Sequence, residues 1–384
     1  MTNGYPIDPL SLPFELQKIG VDPRSIPIFH NKSRIWLYKI QQVDARAATL
    51  LKQLFLSSGG DVAVNWEVIR FTCQTTDIIL FGTTKQFLAV LAKLKDQPFF
   101  GLDSIATEMD QFIQTTISTN QVPAIMGILN VTPDSFSDGG RFNTIEMALL
   151  QAEKMISEGA DILDIGGEST RPGSEQVPAE IEQNRVIPIL KEIKIRFPAI
   201  AVSVDTVKPK VAEKAIEMGA SIINSIYLDE AMLSLLGATK VTCILMHMKG
   251  TPKDMQQYTS YPNGIIPEMN RFYQSKLEEM DRFAIDRTRI WLDPGIGFAK
   301  TPEQNLTILH HLDAFHRWDL PVLLGHSRKS FMKAIYRLPI ENRAICTALY
   351  SYIALQKGVA ILRVHDVAET KLAIEIYKNQ KTDA

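Results

Sequence analysis

Eight polar residues or groups stand directly after short apolar runs in the last two thirds of the chain. They are Asn130, the loop GGESTRPGS at 166–174, Asp205, Asn224, His247, Asp293, Lys329, and the pair Arg363 and His365. Sorted by type, they form two chemical poles. Arg171, Arg328, Lys329, Arg363 and His365 can supply positive charge, with the arginine forks suited to phosphate oxygens and the lysine acting as a point charge. Asp205, Asn224 and Asp293 supply what a flat, nitrogen-rich heterocycle needs: a carboxylate accepts two N–H bonds from an amino-pyrimidine edge, and an amide shows a donor and an acceptor side by side. Asn130 offers a neutral oxygen to a Mg²⁺ held mostly by phosphate and water. Taken singly, each has a structural reading. An Asp after a strand is commonly a cap or turn former, and a lone histidine is commonly a satisfied loop residue. Eight polar strand ends together are harder to attribute to stability.

The stretch from Met126 to Gly140, MGILNVTPDSFSDGG, shows the pattern at its plainest. An apolar run breaks at Asn130 into a loop with two acids, Asp134 and Asp138, several hydroxyls and one aromatic, Phe136. That loop is longer than a minimal strand-to-helix connection, which is usually about two to six residues. Its chemistry sits past the carboxyl end of a strand, where α/β proteins keep their sites. The chain contains no HExxH, no paired His/Cys set, no P-loop and no nucleophile elbow, which speaks against hydrolytic zinc chemistry, Walker-type nucleotide binding and a serine triad.

The elements that must position these residues alternate. Strand-like runs are Ala124–Leu129, Ile162–Ile165, Ile200–Val204, Ser221–Ile223, Val241–Met246, Ile290–Leu292, Val322–Leu324 and Ala360–Val364. Helical patterns lie between them: 145–158, 178–196, 208–218, 229–236, 264–283, 302–312, 330–338 and 341–355. Such alternation implies parallel strands with right-handed crossovers, and eight runs in about 260 residues predict a (β/α)₈ TIM barrel. A doubly wound open sheet is the alternative, weakened by the lack of a GxGxxG turn after any early strand. The segments beginning GADILDI at Gly159, GASIINS at Gly219 and GVAILRV at Gly358 share one shape: a helix-stopping glycine, a small residue, an aliphatic pair and a polar residue at the strand's end.

Residues 1–118 follow a different style and predict a small α+β domain of unknown role, with the barrel domain spanning 119–384. The polar segment 115–123 ends in Pro123 and marks the boundary. Strands are expected at 33–40, 61–64, 68–73 and 77–81, and helices at 44–56 (capped by Asp44), from Thr83 or Thr84 to Leu94, and at 102–118. No catalytic constellation is visible there. A bifunctional reading, with this unit as a second enzyme, finds no acidic metal motif to support it. The net charge of −2 over 384 residues leaves no basic footprint for nucleic acid. No run approaches the ~18 apolar residues of a membrane span, and the N-terminus lacks a signal-peptide pattern. Cys73, Cys243 and Cys346 form no CxxC and suit a reducing, cytoplasmic setting.

At seven places the chain resembles dihydropteroate synthase of folate biosynthesis. The motifs are GILNVTPDSFSDGG at 127–140, DIGGESTRPGS at 164–174, SVDT at 203–206, LMHMKGTPKDMQ at 245–256, LDPGIGF at 292–298, GHSRKSF at 325–331 and RVHDV at 363–367. The resemblance spans about Pro123 to Ile376. It implies a TIM barrel, Mg²⁺, a homodimer and a sulfonamide target that joins 6-hydroxymethyl-7,8-dihydropterin diphosphate to p-aminobenzoate. It further implies a pterin pocket of Asp205, Asn224, Met246, Asp293 and Lys329. Asn130, Arg363 and His365 would form the pyrophosphate and Mg²⁺ end, and Phe136, Thr170, Pro172 and Ser330 the p-aminobenzoate pocket. Asp138 and Arg171, in two closing loops, together with Lys329, would complete the catalytic set. Pyrophosphate would leave first, before amine attack. One departure stands out: the family reads Asn-Asp at the fourth strand end, whereas Asn224-Ser225 here removes a carboxylate beside the pterin pocket. Two other readings are a diverged paralog condensing a different arylamine or pterin, and a pterin-binding module of a corrinoid methyl-transfer system.

Overall fold

In the computed structural model, residues 6–7, 11–70, 72–117, 123–132, 141–168 and 177–382 are described. The chain divides into two compact units, one of residues 1–119 with 378–384, the other of residues 120–377.

The first unit contains a three-stranded antiparallel sheet, with β3 (Thr75–Thr83) between β1 (Ile35–Asp44) and β2 (Asp61–Val64). Helices α1 (Leu12–Lys18) and α2 (Ile26–Ser33) precede the sheet. α3 (Ala45–Ser57), α4 (Thr84–Leu94) and α5 (Leu102–Ile117) supply the core residues Leu51, Phe55, Phe87, Met109 and Ile113, which bury Ile78 and Leu80 of the central strand. Local chemistry sets the helix starts. Asp44 accepts from the Arg46 amide at 2.8 Å, and Gln86 reaches back to the Thr83 amide at 2.7 Å. The strand expected at 68–73 is absent among the described residues. Trp66–Val68 is instead one 3₁₀ turn, opened by Asn65 accepting from the Glu67 amide at 2.9 Å. The Asn65 cap outweighs the β propensity of the apolar residues that follow. α1 and α2 were also not expected from the sequence; Pro13 and Pro27 sit in their first turns, and Pro23 in that of the 3₁₀ turn between them, where proline is tolerated.

The second unit is an eight-stranded parallel barrel. Its strands are β4 (Ala124–Asn130), β5 (Ile162–Gly166), β6 (Ala201–Asp205), β7 (Ile222–Ser225), β8 (Thr242–Met246), β9 (Ile290–Asp293), β10 (Leu323–Leu324) and β11 (Ile361–Val364). β11 pairs with both β10 and β4, and a single bridge, Leu292 to Val322, joins β9 to β10 and closes the ring. The intervening helices are α6 (Arg141–Ser157), α7 (Ala179–Arg196), α8 (Pro209–Glu217), α9 (Glu230–Gly237), α10 (Ile265–Arg282), α11 (Pro302–His310), α12 (Phe331–Tyr336) and α13 (Arg343–Gln356). A last helix, α14 (Val367–Thr382), follows β11 and was not expected from the sequence. The three echoed glycines have positive φ, +100° at Gly159, +97° at Gly219 and +77° at Gly358, a conformation that ends each preceding helix at little steric cost.

The period of two along each strand sorts the barrel. Ile125, Leu163, Ile165, Val202, Val204, Ile223 and Leu245 face outward into the main core against the helices. Their neighbours Met126, Ile162, Ile222, Ile244, Leu323 and Ile361 fill the lower interior. Further along the same inward rows stand Asp164, Ser203, Asp205, Asn224, Asp293 and Arg363. An apolar plug therefore closes the bottom, and polar side chains crowd the mouth.

Candidate active site

At the centre of the mouth, Arg363 is held between two carboxylates. Its Nε donates to Asp164 Oδ2 at 2.6 Å and its Nη2 to Asp205 Oδ2 at 2.7 Å. Asn224 Nδ2 donates to the same Asp164 oxygen at 3.1 Å. Asp164 has no exposed surface, and Asn224 and Asp293 are buried. Burial pushes the Asp205 carboxyl up to about 7 against the pull of Arg363, with the negative charges of Asp164 and Glu182 adding to the rise. Burial also raises Asp293, partly offset by the Gly295 amide that donates to it at 2.7 Å. The Arg363 guanidinium is held above its ordinary value by its two partners.

Glycines keep the mouth open. A Cβ on Gly325 would lie 3.5 Å from Asp293 Oδ2 and 3.9 Å from Arg363 Cδ, so its absence leaves room between those groups. A Cβ on Gly166 would lie 3.5 Å from Asn130 Oδ1 and 3.8 Å from Asp205 Cβ, which places Asn130 beside Asp205 at the ends of β4 to β6. An apolar wall adjoins the polar residues. Met246 packs with Ile226, Met255, Phe298 and Ala299, and Lys329 Nζ sits 4.2 Å from the centre of the Phe298 ring. The structure thus brings Asn130, Asp205, Asn224, Met246, Asp293, Lys329 and Arg363 to one end of the barrel. Ser330 is exposed on the turn that carries Lys329, just before α12. Phe136, Asp138, Thr170, Arg171 and Pro172 lie outside the described residues.

The cationic pole is narrower than the sequence implied. Arg328 donates through Nε to Asp366 Oδ2 at 2.9 Å and pairs through Nη2 with the other oxygen. Its backbone is in the left-handed region at φ +53°, held by Arg343 Nη1 on its carbonyl at 2.9 Å and by Thr347 Oγ1 on its amide at 3.2 Å. Arg328 therefore anchors the turn that presents Lys329. His365 lies against Ser327, with its ring Nδ1 3.0 Å from the hydroxyl, and burial near Arg363 and Arg328 brings it down to about 4, so it is neutral at pH 7. Among the described residues, positive charge at the mouth comes from Arg363 and Lys329.

Asp164 entered the sequence reading only as the polar residue of the GADILDI echo, with no role given, and two further supports escaped it. Lys300, fully buried, holds the Gly295–Phe298 turn through the carbonyls of Gly295 at 2.9 Å, Phe298 at 2.8 Å and His247 at 3.1 Å. Burial lowers Lys300 to about 7 and keeps His247 neutral, so His247 Nδ1 can accept from Lys300. Lys208 bridges Glu168 and Glu182, and Glu168 also accepts from the Val177 amide at 2.9 Å, joining the residues that flank 169–176. The usable signal was a charged residue at an inward strand position or directly after a motif. Ser225 resolves the one departure: it faces outward on β7 and donates to the Tyr227 carbonyl, so its exchange for Asp removes no inward carboxylate.

A pH prediction arises at the base of this turn. His326 is fully buried, with Nε2 3.0 Å from the Thr347 carbonyl and 3.1 Å from Ser351 Oγ, and burial lowers it to about 4. The unfolded chain binds this proton near pH 6.5 and the folded chain only near 4, so stability is intact above 6.5 and is lost as pH falls towards 4. The full effect is on the order of 3 kcal/mol. Urea unfolding at pH 7.5 and pH 5 should show the loss, and His326→Gln should shrink it. An unchanged difference in that variant would assign the acid sensitivity elsewhere.

The profile of the pterin binding enzyme family matches residues 126–365. A bifunctional dihydropteroate synthase/dihydropteroate reductase from Helicobacter pylori is 35% identical over 382 residues, covering 98% of this chain and 99% of the relative. The dihydropteroate synthase of Escherichia coli K12 is 40% identical over 270 residues, covering 70% of this chain and 95% of that enzyme. The solved dihydropteroate synthase of Yersinia pestis, in complex with a sulfonamide drug, superimposes with a TM-score of 0.65 at 40% identity over 69% of this chain and 96% of that one. A parallel barrel with a polar, cation-containing mouth and this profile define a pterin-binding transferase. The chain belongs to the dihydropteroate synthases within that family. Its reaction is the synthase step of folate biosynthesis, on pterin and p-aminobenzoate substrates.

Proposed function

We propose that residues 119–384 carry the synthase chemistry and that the cluster of Asp164, Arg363, Asp205 and Asn224 beside the Met246–Phe298 wall takes the pterin. That cluster is the observation that carries the reading: polar groups line one edge of the space and an apolar surface lines its side, as a flat heterocycle requires. Asp205, Asn224 and Asp293 hydrogen-bond the amino-pyrimidine edge, and Met246 packs against the ring. The bond from the exocyclic methylene carbon to the diphosphate oxygen breaks first, and its electron pair leaves with pyrophosphate. The buried carboxylates tolerate the cation left on the pterin-methyl group, and Lys329, Arg363 and a hydrogen-bonding His365 receive the leaving group. The arylamine nitrogen then forms the C–N bond and releases a proton to solvent or pyrophosphate. Phe136, Thr170, Pro172 and Ser330 hold p-aminobenzoate, and Asp138 and Arg171 complete the site. Sulfonamides would compete for that arylamine position.

Among the described residues no three His, Cys, Asp or Glu side chains gather as a metal set. The neutral oxygen of Asn130 fits a Mg²⁺ that takes most of its ligands from diphosphate and water. When bound, that ion neutralises charge on the leaving pyrophosphate.

The test is pyrophosphate release with the dihydropterin diphosphate, Mg²⁺ and p-aminobenzoate, beside Lys329→Ala and Asp205→Ala. Release should require the arylamine, yield dihydropteroate and fall by about 10²–10³ in each variant. Full activity in both variants would remove these site assignments.

The same reading includes a homodimer. In its support, α13 exposes Ile345, Leu349 and Ile353 at helical spacing, and α14 exposes Leu372 and Ile376. Sedimentation of the wild type against Leu349→Asp tests it, with a monomeric wild type as the contrary result. A cytoplasmic setting is supported by three unpaired cysteines. A second activity, dihydropteroate reduction, is favoured by one observation: the similarity to the bifunctional relative runs through residues 1–118. Full-length protein given dihydropteroate with reduced nicotinamide or reduced flavin should form tetrahydropteroate. No product with either donor would leave the synthase alone.

A further inference from the structure

We propose that Asp164 is a positioning residue of the synthase: its buried carboxylate fixes the plane of the Arg363 guanidinium and the orientation of the Asn224 amide, and so sets which atoms both present to the pterin. The inference rests on the reading that this cluster takes the pterin.

Asp164 stands in the middle of β5, in register with Ile128 on one side and Ser203 on the other. An ionised carboxylate there, with no exposed surface, is costly unless it is paired and hydrogen-bonded. Its Oδ2 meets both needs, taking Arg363 Nε at 2.6 Å and Asn224 Nδ2 at 3.1 Å. A long arginine tethered by one nitrogen to one partner could still rotate. Arg363 is held through Nε on β5 and through Nη2 at 2.7 Å on Asp205 of the adjacent β6, which fixes the ring of donors as a plane.

The consequence for Asn224 is more specific. An amide can present either its oxygen or its nitrogen. One Nδ2 hydrogen on Asp164 fixes how the amide lies, so Oδ1 is set to accept from a pterin N–H while the second Nδ2 hydrogen stays available. Asp164 itself need not touch the substrate.

The test uses Asp164→Asn, nearly isosteric, together with Asp164→Asn/Asn224→Asp, which restores a donor facing an acceptor. The Michaelis constants of both substrates and a thermal melt are measured for each, with wild type, Lys329→Ala and Asp205→Ala alongside. In Asp164→Asn, the constant for the dihydropterin diphosphate should rise about tenfold to a hundredfold. That for p-aminobenzoate should stay within about twofold, and the double variant should recover part of the loss. A pterin constant within about twofold of wild type, or both constants rising together, would overturn the proposal. If the single variant does not fold, a folded double variant that binds the pterin no better than Asp205→Ala would do the same. Failure of the underlying reading looks different: Lys329→Ala and Asp205→Ala would then keep wild-type activity.

Discussion

Arg363→Met is expected to remove synthase activity and to destabilise the barrel together. Among the described residues, the guanidinium is the one side-chain partner of Asp205 and one of two for Asp164, and both carboxylates lie inside the mouth. Removing one member of a buried ion cluster strands the others, at a cost of about 3–5 kcal/mol. The pull of Arg363 already lowers Asp205 from where burial alone would hold it, so in the variant Asp205 rises further above about 7. A carboxyl whose folded value lies above its unfolded one costs stability as pH rises past the unfolded value. The destabilisation should therefore be largest above pH 7 and shrink on acidification, opposite to the trend set by His326. Activity should fall by about 10³ if, as proposed, the same group serves the pterin edge and the leaving pyrophosphate. Urea unfolding at pH 8 and pH 5.5, with steady-state rates, checks both. A variant as stable as wild type at pH 8 would show that the carboxylates find other partners.

Lys208→Met should have the next largest effect on stability. Lys208 Nζ is bonded to Glu182, which has no exposed surface, and to Glu168, which is largely buried. Burial lowers the lysine's proton affinity, but its two carboxylate partners outweigh that and hold it above its ordinary value. Without the ammonium, two neighbouring acids remain with one amide donor among the described residues, from Val177. The expected loss is about 3 kcal/mol, a fall in melting temperature of about 10 °C for a unit of this size. Lys208→Arg should retain most of the stability. Because Glu168 directly precedes the segment with Thr170, Arg171 and Pro172, the p-aminobenzoate Michaelis constant should rise as well. A melting temperature within about 2 °C of wild type would show that this cluster bears little of the fold's stability.

The barrel was legible because its signal is repeated. Each strand is a short aliphatic run with a polar residue where it emerges, and three are announced by a glycine that only a helix end requires. Asp205, Asn224, Asp293 and Lys329 could be read for the same reason. Asp164 was legible only as the polar residue of the GADILDI echo; its role was not, because only the β5 register shows that it faces the interior beneath Arg363. Arg328 misled in the other direction, since its charge is plain in the sequence while its partner Asp366 is 38 residues away. Ser225 was weighed against the family's Asn-Asp motif, whereas its outward side of β7 decides its effect. In the first unit, the turn chemistry of Asn65 was outweighed by the apolar pattern that follows it.

One line along the barrel wall is thinner than the rest. β10 is two residues long, and it meets β9 through a single bridge, with the Leu292 amide on the Pro321 carbonyl at 2.9 Å. Asp293 and Gly325 stand on either side of that line. In a ring of otherwise fuller rungs, this is where breathing concentrates, because few backbone bonds must break for the wall to part. Amide exchange should therefore be fastest at Leu292 and Leu324 among the strand residues and slowest at Leu163 and Val204. The wall would then yield along a pre-set line when a rigid ring wedges in beside Asp293, while the opposite half, from β5 to β7, keeps its register.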